Sequence, residues 1–455
     1  MNIHDLVGQC KMLQYDCVII GAGISGCYLA YRLSQLRPNM NILIVEKSSR
    51  VGGRLMSQSN TRDPRGIALD YGAMRYFPSL KRTAALVHEL GLTPIKYTFV
   101  SSDNYLYLRG VRYQYKNLFP DVYDLYGVPL HERDGTPSEQ LYRYFSSEDI
   151  IEPDLQAVIG QTRFSSQFMD LYWDLSDYNY MVSQQAVGTW LFDESLLTSE
   201  SHLMIQDGHE QLCHACLERT DAEVMVNAHA RQTSHKTVDI YRDDTVVMTV
   251  TAPLIVYTGQ IIDYELYSSL YDGLRSVHMI SRRLQPISGC KIYLEYEDAW
   301  WDTHDIPHGR HITDMTMNQF WVGWSEKTCF IYAAALNTIA WYSLIPEDLR
   351  NNMYDDHSPL IYDVEAYRDK FAPLLDEVHT QVSLLFGLNI EMPVKSISFK
   401  FWFAMYEYWK PSGTIRQDQE FLESMNMINA DYSDYQGWVE GALERVDSFI
   451  TTLQL

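Results

Sequence analysis

The sequence predicts an α/β protein in which a discontinuous Rossmann-like domain carries an inserted α+β domain of mixed sheet and helices. Three observations predict this class. An apolar strand runs directly into a glycine-rich turn and a helix, a second apolar strand ends in an acid, and two blocks rich in Tyr, Trp and Phe interrupt the remainder of the chain. A chain of 455 residues is long enough for two or three domains.

The first unit is a strand, a turn and a helix between positions 15 and 36. The apolar run 17–20 predicts a buried parallel strand, and a helix is predicted over 27–36. The first glycine of the turn allows the bend, the second lets the backbone approach a pyrophosphate, and the third lets helix and strand pack closely. The N–H groups at the helix start favour phosphate binding. The candidate dinucleotide-binding residues here are Gly21, Gly23, Ile24, Ser25 and Gly26.

The second apolar strand, 42–45, ends at Glu46, twenty residues after Gly26. A carboxylate at this place can accept hydrogen bonds from ribose hydroxyls. Strand, turn, helix, strand and acid in this order predict an adenine-dinucleotide site.

A second glycine turn, Gly52-Gly53-Arg54, follows this acid. A nicotinamide enzyme has no need of such a turn, whereas the flavin oxidases carry it beside the diphosphate and flavin. The sequence therefore predicts FAD as the cofactor, with Lys47, Gly53 and Arg54 among its contacts. The alternative is an ordinary loop in which Arg54 forms a salt bridge.

Charge and cysteine content limit the partners and the compartment. Lys and Arg number 36 against 59 Asp and Glu, a net charge of −23, which argues against nucleic acid or an anionic membrane. No apolar run reaches the ~18 residues of a membrane helix, and no signal pattern is seen at the N-terminus. Seven cysteines, an odd number, suggest reduced thiols and a cytoplasmic protein. Cys213 and Cys216 are interpreted as thiols packed in a helix over 210–219.

The predicted domains are discontinuous. The FAD-binding domain is assigned to 1–77, 207–262 and 420–455, and the substrate-binding domain to 78–206 and 263–419, with a helical part at about 138–203. The run 105–108, Arg109-Gly110 and the run 111–115 predict a hairpin. The runs 290–296 and 329–333 predict strands of a sheet that could form the floor of a pocket.

Five blocks across nearly the whole chain carry a family resemblance. They are the glycine turn with Glu46 and Gly52-Gly53-Arg54, and the segments 70–75, 207–212, 290–301 and 437–442. In these blocks the chain resembles the flavin-dependent amine oxidase superfamily, and within it the L-amino-acid oxidases. The resemblance implies an amine oxidase/glutathione-reductase-like fold and a homodimer.

Two positions depart from the family pattern. Ala430 stands where the family usually has a glycine before the acid, here Asp431. Tyr257-Thr258-Gly259 replaces the usual Thr and Pro and is similar to UDP-galactopyranose mutases, so a mutase-like flavoenzyme remains an alternative.

Arg75 is the sharpest candidate for substrate binding. It follows Gly72, Ala73 and Met74, small or apolar residues that in the family run close along the flavin. A guanidinium there can hold an α-carboxylate through two parallel hydrogen bonds. The alternative is a structural arginine paired with a carboxylate such as Asp70.

Lys291 stands within an apolar run, an unusual place for a charge. The resemblance implies that this lysine holds a water near flavin N5, where it would assist the reaction with oxygen or the hydrolysis of the imine. The alternative is a lysine that reaches solvent from a strand end.

The resemblance also implies roles for residues near the C-terminus. Trp438 and Tyr332 would form a two-walled aromatic slot, although core packing is the alternative for each. Trp402 would border the flavin, and Asp431 would bind its ribityl or diphosphate region. The start of the last helix, at Trp438 and Val439, can stabilise negative charge on the ring. No cysteine follows Cys329, so the FAD is expected to be non-covalent.

The resemblance therefore implies an FAD-dependent L-amino-acid oxidase. Hydride transfer from Cα to flavin N5 would yield an imino acid, then a 2-oxo acid and ammonia, and O2 would be reduced to hydrogen peroxide. The alternatives are an amine or polyamine oxidase without carboxylate recognition, and a flavin-binding protein without turnover. His304, His308 and His311 fit no single helical face, and no metal site is expected.

Overall fold

The computed structural model describes residues 13–59, 63–146, 164–175, 202–261, 274–350, 359–389, 391–410 and 415–453. Within these ranges the strands are β1 (Leu13–Gln14), β2 (Cys17–Ile20), β3 (Ile42–Val45), β4 (Ser57–Gln58), β5 (Leu69–Asp70), β6 (Pro94–Lys96), β7 (Tyr105–Leu108), β8 (Val111–Gln114), β9 (Leu203–Ile205), β10 (Glu223–Met225), β11 (His229–Ser234), β12 (Thr237–Arg242), β13 (Thr245–Thr251), β14 (Leu254–Tyr257), β15 (Leu284–Tyr296), β16 (Gly309–Thr313), β17 (Gln319–Ser325), β18 (Thr328–Ala334), β19 (Ile361–Asp363) and β20 (Val394–Trp409).

The helices in the same ranges are α1 (Ile24–Leu36), α2 (Lys81–Glu89), α3 (Asp121–Tyr126), α4 (Pro137–Ser146), α5 (Ser166–Leu175), α6 (Gln211–Leu217), α7 (Leu274–Ser281), α8 (Trp300–Thr303), α9 (Leu336–Leu344), α10 (Glu347–Arg350), α11 (Arg368–Phe386), α12 (Ile415–Ser424) and α13 (Val439–Thr452). Short 3-10 turns occur at Tyr115–Asn117, Leu130–Glu132 and Ala430–Tyr432.

A parallel four-stranded sheet in the order β10-β3-β2-β14 forms the nucleotide-binding part. Both of its faces are covered, which explains why β2 and β3 are continuously apolar. On one face, Ile19 and Ile44 pack with α1, α6 and α13. On the other face, Val18 and Leu43 pack against a second sheet, β1-β13-β12-β11, whose antiparallel meander was not predicted from the sequence.

An eight-stranded sheet in the order β19-β20-β15-β18-β17-β16-β7-β8 forms the second large layer. The predicted strands 290–296 and 329–333 lie within β15 and β18, which are antiparallel neighbours. The predicted hairpin is confirmed as β7 and β8, with Arg109 and Gly110 at positive φ in its turn. Alternate residues of β15 face opposite sides: Ile292 and Leu294 pack toward α11, whereas Tyr293 faces the segment around Tyr71 and Met74.

Several predicted bounds shift. Helix α1 begins at Ile24 rather than 27, and α6 is shorter than the predicted 210–219, although Cys213 and Cys216 are buried in it as expected. Of the predicted helical part 138–203, the described residues form α4 and α5, and the start of strand β9 ends it; 147–163 and 176–201 lie outside the described residues. The division into domains stays a prediction. Among the described helices, none is long and apolar enough to cross a membrane.

Candidate active site

The two glycine turns lie against each other. The N–H of Gly52 donates to the carbonyl oxygen of Ala22 at 2.8 Å, and Gly23 and Gly52 form a parallel bridge. A side chain at Gly26 would clash with the carbonyl oxygen of Gly21, so only glycine lets α1 approach β2 this closely. A Cβ at Gly23 would instead meet nothing nearer than 3.9 Å, which leaves room for a ligand beside the backbone.

Glu46 connects these turns. It is 7% exposed, and its Oε2 accepts a 2.7 Å hydrogen bond from the N–H of Ala22. Its Oε1 accepts from the N–H and Oγ of Ser48 at 2.8 and 2.9 Å. Each carboxylate oxygen has two lone pairs, so the group can still accept a ribose hydroxyl. The neighbouring Lys47 is exposed.

Two arginines fix the second turn. Arg50, which the sequence analysis did not single out, donates from Nη1 to the carbonyl oxygens of Val51 and Leu55 and from Nη2 to that of Gly53. Arg54 does form a salt bridge, with Nη1 2.7 Å from Oδ1 of Asp431. Its partner is the acid that the resemblance assigns to the cofactor. The salt bridge of the alternative interpretation is thus present, and contact of Arg54 with FAD stays a prediction.

Asp431 offers a direct test of whether a flavin fits. Its side chain is fully buried, and Oδ1 accepts from Arg54 and from the N–H of Glu407. Within the described residues, Oδ2 has no hydrogen-bond partner. A buried carboxylate oxygen without a donor is costly, and a ribityl hydroxyl would supply one. Together with the open space at Gly23, this atom fits a bound dinucleotide.

The segment 70–75 passes directly over the second turn. A side chain at Gly72 would clash with the carbonyl oxygen of Arg54, and the N–H of Ala73 donates to that oxygen at 3.3 Å. The carboxylate of Asp70 is bonded to Ser57 Oγ at 2.5 Å and to His209 N–H and Nδ1 at 3.1 and 3.2 Å. The partners of this carboxylate are therefore Ser57 and His209, and not Arg75 as in the alternative interpretation.

Lys291 points into this segment. The side chain is buried, and Nζ donates to the carbonyl oxygens of Asp70 at 2.7 Å and Gly72 at 2.8 Å, so the alternative of a solvent-reaching lysine is wrong. Desolvation lowers the pKa of Lys291 to about 7. The charge of Asp70 acts in the opposite direction and raises the pKa, whereas the charge of Arg75 lowers it further. Trp402 Nε1 donates to the carbonyl oxygen of Tyr71 at 2.8 Å and holds the same segment from the next strand.

A row of side chains crosses the large sheet at the register of Lys291. Gln319, Tyr332, Lys291 and Lys400 pair directly on β17, β18, β15 and β20 and therefore share one face. The Nζ of Lys291 lies 5.4 Å from the centre of the Tyr332 ring. Tyr332 Oη lies 3.5 Å from Sδ of Met405. Tyr332 thus stands beside Lys291.

Trp438 lies on another side of the site. It precedes α13, whose first residue is Val439, and its ring centre is 5.2 Å from that of Phe77. The ring centres of Phe77 and His202 are in turn 4.8 Å apart. Trp438 therefore joins the aromatic cluster of Phe77 and His202, whereas Tyr332 belongs to the face of Lys291, and the two-walled slot between them stays a prediction.

Arg75 lies near a second group of residues that the sequence analysis missed. Its guanidinium carbon is 5.4 Å from the ring centre of Phe99, and the ring centres of Phe99 and His202 are 4.5 Å apart. Burial, and then the charges of Arg75 and Arg310, lower the pKa of His202 to about 3, so the imidazole is neutral. No local motif marks His202 or Arg310, because each reaches the site only through long-range packing.

The histidines near position 308 serve the fold. His311 is buried, and its Nδ1 accepts the N–H of Tyr105 at 2.9 Å. His308 Nε2 lies 2.9 Å from Asp302 at the surface. In the part of the chain that the structure describes, no group of three His, Cys, Asp or Glu side chains could hold a metal ion.

Comparisons with known proteins agree with this architecture. Residues 19–90 match the NAD(P)-binding Rossmann-like domain family. The fold is similar to that of a putrescine oxidase redesigned in its cofactor binding, with a TM-score of 0.66 and 14% identity over 97% of this chain and 100% of that chain. The predicted fold class is confirmed.

Two named oxidases are among the proteins that this chain is similar to. An uncharacterized protein of Acanthamoeba polyphaga mimivirus is 22% identical over 96% of this chain and 93% of its own. An L-amino-acid oxidase of Pseudechis australis is 21% identical over 66% of this chain and 61% of its own. The flavin-containing amine oxidase A of Equus caballus is 33% identical over 24% of this chain and 20% of its own. The chain thus spans less than two thirds of the length of each of these two oxidases. The predicted enzyme class, an FAD-dependent oxidoreductase, is confirmed.

Proposed function

We propose that this protein is an FAD-dependent L-amino-acid oxidase, which converts an L-amino acid to a 2-oxo acid, ammonia and hydrogen peroxide. The observation that carries the proposal is the meeting of Arg75 and Lys291 at the segment 70–75, directly beyond the second glycine turn. When bound, the flavin supplies the two-electron oxidation of the substrate and passes the electrons to oxygen. Everything else is the work of the chain's own residues.

Three regions would hold the FAD. The open backbone at Gly23 receives the pyrophosphate, Glu46 accepts from the adenosine ribose, and Asp431 Oδ2 accepts from a ribityl hydroxyl. The N-terminus of α13 favours negative charge near Trp438 and Val439. Cys290 and Cys329 are buried in the large sheet, and no cysteine follows in the sequence, which supports non-covalent binding.

Arg75 would bind and orient the substrate. Its guanidinium is the group that can bond both oxygens of an α-carboxylate through a planar fork. The charge of Arg75 makes this part of an otherwise acidic protein attractive to anions. Holding the carboxylate fixes the direction of the Cα–H bond, and such orientation supplies much of the acceleration in reactions of this kind.

Lys291 would hold a water. In its neutral form the amine has two N–H donors and one lone pair. The two donors are used by the carbonyl oxygens of Asp70 and Gly72. The remaining lone pair can accept an O–H of a water and so hold that water for hydrolysis of the imino acid. A pKa of about 7 makes the neutral amine available at neutral pH.

The second candidate is an amine oxidase that does not recognise a carboxylate. The putrescine oxidase fold and the Equus caballus relative favour it, and it predicts that Arg75 is dispensable. The two functions separate in one experiment. The purified protein is tested for the visible spectrum of a flavin and for peroxide release with L-amino acids and with the corresponding decarboxylated amines. Faster turnover of the amines would reject the amino-acid oxidase.

A further inference from the structure

One buried amide on the site face of the large sheet has a nitrogen with no hydrogen-bond partner among the described residues. Gln319 is 1% exposed, and its Oε1 accepts a 3.0 Å hydrogen bond from Nε1 of Trp321. This bond fixes the orientation of the amide. Within the described residues, its Nε2 has no hydrogen-bond partner. A buried N–H group of this kind calls for an acceptor.

Arg310 stands beside this amide on the next strand. It pairs with Trp321 between β16 and β17, so the two side chains leave the same face of the sheet. The main-chain N–H of Arg310 donates to the carbonyl oxygen of Phe99 at 2.8 Å. The ring centres of Phe99 and Trp321 are 5.1 Å apart, and the guanidinium of Arg75 lies over the ring of Phe99. The main chain of Arg310 is therefore bonded to that of Phe99, and the guanidinium of Arg75 lies over the Phe99 ring.

His202 lies within the electrostatic influence of both arginines. Its imidazole packs on Phe99, and the charges of Arg75 and Arg310 both act on it. Its Nδ1 is buried and has no hydrogen-bond partner among the described residues. Arg75 and His202 therefore both contact the Phe99 ring, and the charge of Arg310 acts on the same imidazole from the neighbouring strand.

The aromatic side chains nearby serve packing rather than recognition. Trp321, Trp324 and Phe330 are all fully buried. Their rings pack on one another. The ring centres of Trp321 and Phe330 are 5.3 Å apart in a stacked arrangement, and those of Trp324 and Phe330 are 4.9 Å apart, edge to face. An aromatic-rich sequence thus does not itself indicate an aromatic substrate.

We propose that Arg310 and Gln319 form a second carboxylate-binding subsite, and that the substrate is an L-amino acid whose side chain ends in a carboxylate. The proposal rests on the proposed function, in which Arg75 takes the α-carboxylate. Arg310 supplies a planar fork and Gln319 a neutral amide donor, which together suit a carboxylate and repel a diamine. The distal acid of the substrate would lie beyond Phe99, on the side opposite Arg75.

The test compares three substrates and three variants of the flavin-loaded protein. The kcat/KM values are measured for L-glutamate, L-glutamine and L-norleucine with the native protein, Arg310→Met, Gln319→Met and the control Arg231→Met, which changes an exposed arginine of β11. L-Glutamate is expected to be the best of the three. Arg310→Met should lower the glutamate-to-norleucine ratio roughly ten- to 150-fold, the loss of a hydrogen bond to a charged group, and Gln319→Met should lower it less. Arg231→Met should keep the native ratio.

A native preference for L-norleucine, or an unchanged ratio in both Arg310→Met and Gln319→Met, would overturn the proposal. Binding of non-reacting acids separates this failure from failure of the proposed function. Glutarate and valerate are titrated into the flavin-loaded protein, and the flavin spectrum is followed. Glutarate should bind at least tenfold more tightly, and Gln319→Met should reduce this difference even if Arg310→Met does not fold. Equal binding of the two acids would overturn the subsite, whereas absence of any amino-acid turnover would reject only the oxidase.

Discussion

Nζ of Lys291 lies 2.7 Å from the carbonyl oxygen of Asp70, so strand β15 is bonded directly to the segment that carries Arg75. A second bond, to the carbonyl oxygen of Gly72 at 2.8 Å, holds the lysine in place. The candidate water-holding group and the candidate carboxylate-binding group are thereby positioned by one short stretch of backbone. A change at either residue should therefore be tested with assays that separate binding from chemistry.

Arg75→Leu tests the carboxylate clamp. The variant loses two charge-assisted hydrogen bonds, so kcat/KM for the preferred L-amino acid should fall by about 100-fold or more. Arg75→Lys keeps the charge but not the fork and should recover only part of the loss. Peroxide release is the measurement, with the decarboxylated amine as the matched control substrate. An equal loss for acid and amine would show that Arg75 supports structure rather than recognition.

Lys291 should set the acid limb of the pH profile. Its lone pair is available only in the neutral form, and its pKa is lowered to about 7. The rate of ammonia release, which requires hydrolysis of the imino acid, should therefore fall as the pH drops through about 7. The charged groups that face it are Asp70, Arg75 and Lys400, with the Tyr332 ring beside it. Lys291→Met should lower the plateau and abolish this limb. A limb that persists unchanged in Lys291→Met would assign it to another group.

Two glycines of the first turn should respond differently to alanine. Gly23 has φ −73° and ψ −178°, which alanine adopts freely, and nothing lies nearer than 3.9 Å to the added methyl. Gly23→Ala should leave the unfolding free energy of the FAD-free protein within about 0.5 kcal/mol and weaken FAD binding roughly tenfold. Gly26→Ala places the methyl against the carbonyl oxygen of Gly21 and should destabilise the protein by about 2 kcal/mol. Denaturation and flavin titration of both variants measure the contrast, and equal stabilities would contradict it.

His202 should make stability depend on pH. Its pKa falls from the ordinary 6.5 to about 3 in the folded protein. Unfolding therefore takes up a proton between these values, so this contribution is fully present above pH 6.5 and is lost as the pH falls toward 3. His202→Phe keeps a ring between Phe77 and Phe99 and should flatten the curve of unfolding free energy against pH in that window. A slope unchanged by His202→Phe would refute the assignment.

Local patterns predicted the nucleotide-binding elements well. Strands β2, β3 and β14 have the expected bounds, because a run buried on both faces is apolar at every position; β2 ends before a glycine and β3 before an acid. The hairpin at Arg109 and Gly110 was also evident, since its turn demands positive φ. The meander β11–β13 was missed because its strands are half exposed and carry mixed polar residues.

The sequence by itself determined the glycine turns, their acid and the class of fold, because these depend on turn geometry and on burial repeated at a fixed period. Only the tertiary structure decided that Asp70 bonds His209 rather than Arg75, that Lys291 reaches the carbonyl oxygens at Asp70 and Gly72, and that Gln319 and Arg310 share a face. Those contacts join segments far apart in the chain. Strand register and side-chain packing bring them together, and neither leaves a mark in any short stretch of residues.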